Sequence, residues 1–335
     1  MNAYEIRDAF GIDALVVSDR PDPAPGPGQV VVKTRAVSLN FRDLLVVKGD
    51  YSKKLPLPMV PCSDCAGEVA AVGDGVSRVK VGDRVAGIFM QTWIAGEVTE
   101  SKAKSALGAA IGGVLAESVL LHENGLVQIP AHLSFEEAAT LPCAAVTAWH
   151  ALIAEGHLKP GDTVVTLGSG GVSLFALQFA RLAGARVIAT SSSDEKLSKL
   201  CGLGASDGIN YKTTPDWDKR VRELTGAGAD HIVEVGGPST LPKSLKAVRM
   251  GGSISLIGNV AGGGEVNPVP LLMKNVRLQG IFVGSREMFE AMNRAVSLHK
   301  LKPVIDRVFQ FEEAREALKY MATGAHFGKI CISVK

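Results

Sequence analysis

A glycine-rich turn between two apolar stretches is the segment of this chain best suited to chemistry. Residues 163–167 form a β-branched apolar run typical of a buried parallel strand. Residues 168–173 (GSGGVS) turn the chain into an apolar segment without Gly or Pro, which is expected to be a helix. Backbone N–H groups and the helix N-terminus would converge there on a pyrophosphate. A closely packed structural turn uses similar glycines, so the motif needs its context.

Strand and helix patterns alternate around this turn. Together they predict a doubly wound parallel sheet of the dinucleotide-binding type. A capping box at residues 134–137 opens a helical segment towards Leu152. The six predicted strands are residues 163–167, 186–190, 208–211, 231–235, 253–257 and 276–283.

The first 125 residues have a different pattern of short apolar runs separated by Gly-Asp turns, which predicts a compact β-barrel-like domain. Residues 91–113 are polar and rich in small side chains, and they are interpreted as a loop excursion that could be a lid or disordered. After Ser285, a helix, a strand, a helix and a last strand are predicted at residues 288–299, 304–309, 311–321 and 329–334.

The residues after the second predicted strand indicate the cofactor. An NAD site usually has Asp or Glu there to bind the ribose hydroxyls, whereas this chain has Ser191, Ser192 and Ser193, with Lys196 nearby. Hydroxyls and a cation suit a 2′-phosphate, so NADP(H) is the expected cofactor. The alternative is that Ser193 and Asp194 simply cap the next helix, with Lys196 on its solvated face, and Asp194 and Glu195 keep NAD open.

Other strand ends are expected to line the same dinucleotide site, because ligands bind outside the carboxyl ends of such strands. Tyr211 is expected to contact the adenosine or to be an ordinary strand-end tyrosine. The predicted cofactor-binding residues are Thr147, Gly168, Ser169, Gly170, Gly171, Val172, Ser173, Ser191, Ser192, Lys196, Tyr211, Gly236, Gly258, Asn259, Phe282 and Val283.

Composition excludes several classes of protein. The net charge of +2 gives no electrostatic case for nucleic acid. No apolar run reaches membrane-spanning length, and the N-terminus has no secretion signal. Five scattered cysteines do not form a disulfide framework, so a cytoplasmic protein is expected.

The chain resembles a medium-chain dehydrogenase/reductase, and within that superfamily the zinc-independent, quinone oxidoreductase-like branch. The resemblance covers essentially the whole length. It implies a GroES-like β-barrel-type catalytic domain (residues 1–125 and 287–335) and a Rossmann domain (residues 126–286). The matching segments are residues 37–43 (VSLNFRD), 67–73 (GEVAAVG), 81–85 (VGDRV), 141–149 (LPCAAVTAW), 159–162 (KPGD), 168–173 and 209–212 (INYK).

The resemblance also bears on metal. In zinc-dependent relatives the catalytic ligands fall where this chain has Asn40, Ser63 and Cys143, and only the last is a zinc-ligand type. The four-cysteine structural zinc loop has no counterpart in residues 91–113. Cys62 and Cys65 have the spacing of half a zinc site or a redox pair, but no second pair exists. No metal is expected.

Without metal, a protein donor must balance negative charge on the substrate oxygen. By resemblance the candidates are Asn40, Asp43 and Tyr51, with Asp43 orienting its neighbours. Thr147 is placed near the nicotinamide. The alternatives are that Asn40 and Asp43 only cap a turn and that Thr147 bonds to its own helix. Arg286 and Lys329 are interpreted as solvated charges that could reach the cofactor.

The sequence therefore predicts an NADPH-dependent reductase of quinones or α,β-unsaturated carbonyl compounds. The alternatives are an alcohol dehydrogenase or ketone reductase of the same superfamily, and a cofactor-binding protein with little catalysis. Residues 276–283 resemble the edge strand through which relatives pair their sheets, so a homodimer is expected. The substrate's identity does not follow from the sequence.

Overall fold

The computed structural model describes all 335 residues, which divide into two compact units. Unit 1 comprises Met1–Val146 and Gly284–Lys335, and unit 2 comprises Thr147–Val283. The strands are β1 Asn2–Glu5, β2 Val16–Asp19, β3 Gln29–Leu39, β4 Asp64–Val72, β5 Arg84–Gly87, β6 Ser118–His122, β7 Leu126–Gln128, β8 Thr163–Leu167, β9 Arg186–Ser191, β10 Asp207–Asn210, β11 Ala229–Glu234, β12 Val248–Leu256, β13 Arg277–Gly280, β14 Ile305–Gln310 and β15 Lys329–Ser333.

The eleven α-helices are four to thirteen residues long. They are α1 Phe41–Lys48, α2 Glu100–Ala103, α3 Phe135–Ala139, α4 Val146–Trp149, α5 Gly171–Leu182, α6 Asp194–Gly202, α7 Trp217–Thr225, α8 Leu241–Ala247, α9 Val269–Met273, α10 Arg286–Leu298 and α11 Ala314–Ala322. None of them is both long and apolar enough to cross a bilayer.

Unit 2 is a Rossmann fold. Its six strands are all parallel and lie in the order β10-β9-β8-β11-β12-β13, so the order reverses between β8 and β11. The interior of the sheet is apolar because Val165, Ile188, Ile232 and Ile254 are all buried in one core cluster. The predicted doubly wound sheet is confirmed, and all six predicted strands are present.

Unit 1 is a GroES-like domain built on a seven-stranded sheet in the order β14-β15-β3-β4-β5-β7, with β6 also pairing β3. Its long strand β3 pairs antiparallel with β4, β6 and β15. The chain's last strand therefore lies beside the strand that leads into α1. The β-barrel-type expectation for this domain is confirmed.

Two segments differ from the sequence prediction. Residues 126–146 pack with unit 1, because β7 pairs with β5 and α3 packs against β3 and β4. Residues 91–113 form neither a free lid nor a disordered loop: Trp93 and Leu107 are buried and Gln91 N–H donates to the Ser105 carbonyl at 3.1 Å. The predicted helix after residue 134 extends to Ala154 with a turn at Thr140 and two π-helical segments, Leu141–Ala145 and His150–Ala154.

Candidate active site

Strand pairing in unit 1 places a lysine beside Asn40. Asn40 follows β3 and is the N-cap of α1. In the antiparallel pair of β3 and β15, Ile330 lies opposite Leu39, so Lys329 at the start of β15 is next to Asn40. The Lys329 side chain is only 4% exposed, which contradicts its interpretation as a solvated charge.

The polar side chains around Asn40 form a continuous hydrogen-bonded cluster. Lys329 Nζ donates to Asn40 Oδ1 at 2.6 Å, and Asn40 Nδ2 donates to Ser63 Oγ at 3.4 Å. Ser63 Oγ in turn donates to Asp64 Oδ1 at 2.7 Å, and the Cys143 backbone N–H donates to Asp64 Oδ2 at 3.0 Å. Ser63 and Asp64 are fully buried, whereas Asn40 and Cys143 are half-buried. Of the four side chains joined by these hydrogen bonds, only Asn40 is half-buried rather than buried.

The other predicted catalytic side chains have different environments. Asp43 is fully buried and its Oδ2 accepts the Asn40 backbone N–H at 2.8 Å, so Asp43 caps α1. The Asp43 backbone N–H donates to the Asn40 carbonyl oxygen at 2.9 Å. Tyr51 is 46% exposed, and its ring lies 5.6 Å from the Arg42 guanidinium carbon. Its hydroxyl has no partner in the protein, so its predicted donor role stays a prediction.

Asp43 is a buried carboxylate with an incomplete hydrogen-bond set, because its Oδ1 has no partner. Burial raises the pKa of Asp43 from 3.8 to about 6, although the Arg42 guanidinium opposes the shift. Between these two pH values the folded protein binds a proton that the unfolded chain has released. Asp43 therefore lowers the free energy of unfolding as the pH rises from about 4 to about 6, and this loss of stability persists above pH 6.

We predict that Asp43→Asn removes this pH dependence. The free energy of unfolding of the wild type, relative to Asp43→Asn, should fall by about 3 kcal/mol between pH 4 and pH 8. Urea unfolding at several pH values measures the difference, with the exposed Asp50→Asn as control. If the difference in the free energy of unfolding between wild type and Asp43→Asn stays constant across this range, the raised pKa of Asp43 is refuted.

The donor set at the zinc-ligand positions does not fit zinc. Asn40 and Ser63 offer an amide and a hydroxyl, and burial next to Asp64 raises the pKa of the Cys143 thiol. An ammonium 2.6 Å from Asn40 Oδ1 also repels a second cation. Burial raises the pKa of the Cys65 thiol to about 12 and raises the pKa of the Cys62 thiol well above its ordinary value, so neither is a ready thiolate ligand. No group of three His, Cys, Asp or Glu side chains in the chain could hold a metal.

The glycine turn of unit 2 fits a pyrophosphate. Gly168 has φ +75°, and a Cβ built on Gly168 or Gly170 would meet no protein atom within 4 Å. Internal packing therefore does not require these glycines. Gly170 is the N-cap of the 12-residue helix α5, and no side chain caps the first N–H groups of this helix. Ser173, at the third glycine position of the fingerprint, donates from Oγ to the Leu167 carbonyl at 2.6 Å and ties α5 to β8.

The end of β9 has the composition expected of an adenosine-ribose site. Ser191 is buried, Ser192 is half-buried, and the Tyr211 N–H donates to the Ser191 carbonyl at 3.0 Å. Tyr211 itself is exposed. Ser193 caps α6 through its Oγ, as the alternative proposed, and Lys196 in the first turn of α6 is half-buried. The Asp194 carboxylate accepts the Asn210 amide at 2.7 Å.

The remaining predicted cofactor residues fall into two groups. Protein packing alone requires Gly236 and Gly258, because an added Cβ would lie 2.2 Å from Thr240 Oγ1 and 2.6 Å from the Val235 carbonyl oxygen, respectively. Thr147 lies in α4 and is buried. Ser169 is buried, while Asn259 and Phe282 are exposed. Contact of any of these residues with the cofactor, and of Gly171 and Val172, stays a prediction.

Two buried polar groups that the sequence did not indicate fix these strand ends. Glu234, at the end of β11, accepts from the Gly236 and Gly237 N–H groups at 2.8 and 3.1 Å. His150 bonds through Nδ1 to the Val283 carbonyl at 2.7 Å, and Val283 has φ +57°. A β-branched residue at positive φ is strained, so the histidine bond holds an unusual backbone.

Comparison with known proteins matches both units. Residues 26–131 match the family described as alcohol dehydrogenase GroES-like domain, and residues 171–297 match the one described as zinc-binding dehydrogenase. A zinc-type alcohol dehydrogenase-like protein of Schizosaccharomyces pombe is 43% identical, with 99% of each chain covered. The chain belongs to the medium-chain dehydrogenase/reductase superfamily. The human quinone oxidoreductase, another similar protein, is 30% identical over 97% of this chain and 95% of its own.

Solved structures of similar proteins agree on the superfamily fold. A putative alcohol dehydrogenase from Sinorhizobium meliloti 1021 has a TM-score of 0.92 at 44% identity, covering 99% of this chain and 98% of its own. An NAD-dependent alcohol dehydrogenase has a TM-score of 0.91 at 36% identity with full coverage of both chains. A mycobacterial protein solved with NADPH has a TM-score of 0.84 at 28% identity, with 99% of both chains covered. This member of the superfamily is therefore an oxidoreductase with a nicotinamide-cofactor fold.

Proposed function

We propose that this protein is an NADPH-dependent, zinc-independent oxidoreductase that transfers hydride to a quinone or an α,β-unsaturated carbonyl compound. The observation that supports it most is the cluster at the zinc-ligand positions. There, Asn40 and Ser63 replace metal ligands and a buried lysine ammonium is bonded to Asn40. The similar human quinone oxidoreductase supports the substrate class.

NADPH supplies the hydride when bound, and the residues of this chain hold and polarise the reactants. The open turn at Gly168 and Gly170 and the N-terminus of α5 would hold the pyrophosphate. When a substrate carbon accepts hydride, negative charge moves to the carbonyl or quinone oxygen. Asn40 Nδ2 would donate to that oxygen, and the proton that completes reduction would come from solvent or Tyr51.

The preference for NADP(H) rests on the end of β9. No carboxylate follows directly, and Ser191, Ser192 and Lys196 offer hydroxyls and a cation to a 2′-phosphate. We predict that Ser192→Asp lowers the ratio of kcat/KM with NADPH to kcat/KM with NADH by about 10- to 100-fold, through repulsion of the phosphate. Ser206→Asp, on a turn before β10, should leave the ratio unchanged. A wild type that uses both cofactors equally would refute the preference.

A panel of substrates tests the reaction. Purified protein with NADPH should reduce a quinone and an enone faster than a saturated aldehyde or ketone, and it should not oxidise a simple alcohol with NADP. Alcohol or aldehyde turnover would favour the alternative function, an alcohol dehydrogenase or ketone reductase, which the names of several similar proteins support. No turnover of any substrate would favour a cofactor-binding protein.

The five free cysteines suit a reducing compartment such as the cytoplasm.

We also propose a homodimer formed through β13, which is an edge strand of the unit 2 sheet. Exposed apolar side chains lie near it. Leu272 and Met273 in α9 are 81% and 69% exposed, and Gly251 N–H donates to the Lys274 carbonyl, which brings exposed Met250 close. An unpaired edge with apolar neighbours is commonly covered by a second copy.

Two charges at this surface should abolish the dimer. We expect Leu272→Asp combined with Met273→Asp to shift the mass in light scattering from two chains to one, because both carboxylates would be buried at the interface. Leu298→Asp, at a similarly exposed leucine of unit 1, should remain dimeric. A monomeric wild type would contradict the proposal.

A further inference from the structure

Lys329 is a buried cation to which the proposed hydride transfer assigns no role. Its Nζ lies 2.6 Å from the Asn40 Oδ1 and 2.6 Å from the Leu39 carbonyl oxygen. An ammonium removed from water is costly unless oxygen atoms and opposite charges surround it. The buried carboxylates of Asp43 and Asp64 supply the opposite charges, and Lys329 lowers the pKa of each against the effect of burial. The fold therefore maintains a cation at this position.

The ammonium determines the orientation of the Asn40 amide. A lysine ammonium has only donors, so the amide atom that faces it must be the oxygen. The Asn40 nitrogen then points away from Lys329, and one of its N–H groups is directed at Ser63 Oγ. Because Asn40 is half-buried, its second N–H is the donor that a substrate can reach.

The four groups form a chain in which every donor points the same way. Lys329 donates to Asn40, Asn40 to Ser63, and Ser63 to the Asp64 carboxylate. A cation at one end and an anion at the other polarise each bond between them. The Asn40 amide is thereby made a stronger donor than an amide in water, and it cannot flip to present its oxygen.

We propose that Lys329 is a positioning residue. It holds the Asn40 amide with one N–H directed at the substrate oxygen and polarises that N–H, so that the amide stabilises the negative charge that a metal ion would otherwise stabilise. This proposal rests on the proposed hydride transfer. It adds an explanation of how a site without suitable zinc ligands stabilises negative charge on the substrate oxygen. The positive charge reaches the substrate through Asn40 rather than by direct contact.

A double-mutant cycle tests the coupling. Lys329→Met should lower kcat for the best panel substrate by about 10- to 100-fold, with the KM for NADPH unchanged, because a charge-assisted bond to Asn40 is lost. In the Asn40→Ala background the same substitution should cost less than about threefold. Lys329→Arg should recover part of the loss, and the exposed Lys319→Met is the control. Independent, multiplicative losses would overturn the proposal.

A second readout does not depend on turnover. With ¹⁵N-labelled asparagine, the Asn40 side-chain amide signals are identified by their disappearance in Asn40→Ala. Lys329→Met should speed their exchange with water by about tenfold, while Lys319→Met leaves it unchanged. Unchanged exchange in Lys329→Met would overturn the locking of Asn40. If exchange speeds up but no panel substrate is reduced, the locked amide is supported and the proposed function fails.

Discussion

Asn40→Ala is expected to lower kcat for quinone or enone reduction by about 100- to 1,000-fold, the loss usual for removal of one preorganised donor to a developing oxyanion. The reason is that Asn40 is the half-buried end of a cluster whose other side chains, Ser63, Asp64 and Lys329, are buried. Steady-state kinetics with saturating NADPH measure the loss.

The control for this variant is Asn2→Ala, an exposed asparagine of the same unit, which should change kcat by less than about twofold. NADPH affinity should be unaffected by Asn40→Ala, because the predicted cofactor residues lie in unit 2. A variant that retains wild-type kcat would show that the substrate oxygen is stabilised elsewhere, with Tyr51 as the next candidate.

Gly170→Val is expected to weaken NADPH binding by about 100-fold or more while the protein stays folded. The added Cβ meets no protein atom within 4 Å, and any residue can adopt the φ of −80° at Gly170, so the turn is not strained. The side chain instead fills the space that the pyrophosphate would occupy. Losing two charge-assisted hydrogen bonds of about 1.5–3 kcal/mol each accounts for this magnitude. Calorimetric titration gives the Kd, and a thermal melt without cofactor gives the stability.

Gly258→Ala is the matched contrast, since its Cβ would lie 2.6 Å from the Val235 carbonyl oxygen. That variant should lose stability in the absence of cofactor. If Gly170→Val instead lowered the melting temperature and kept its NADPH affinity, the turn would have only a structural role, and the pyrophosphate-binding site would lie elsewhere.

The Rossmann unit could be predicted because its information is local. A fully buried parallel strand is an apolar run of five or six residues, and at the end of β8 a glycine follows directly, at Gly168. The helix after residue 134 was also visible in its capping box, but its π-helical turns were not, because they depend on how residues 141–154 pack.

The site in unit 1 could be predicted only in part, because it depends on a pairing between distant strands. Asn40 was identified through a family motif, whereas Lys329 is 289 residues away in sequence and reaches it only because β15 pairs with β3. A lysine at the start of an apolar strand usually faces water, and nothing local distinguishes this one. The prediction of a free loop at residues 91–113 is wrong for a similar reason, because the burial of Trp93 depends on packing that the polar composition of the segment does not indicate.

The most direct test of the central claim is NADPH oxidation by protein freed of metal. The enzyme is dialysed against a chelator until zinc falls far below one atom per chain, and absorbance at the NADPH band is followed with a quinone or enone substrate. We predict full turnover without zinc and no gain when zinc is added. Activity that is lost with the metal and returns in proportion to added zinc would contradict the account, because Asn40 and Lys329 would then not be sufficient to polarise the substrate.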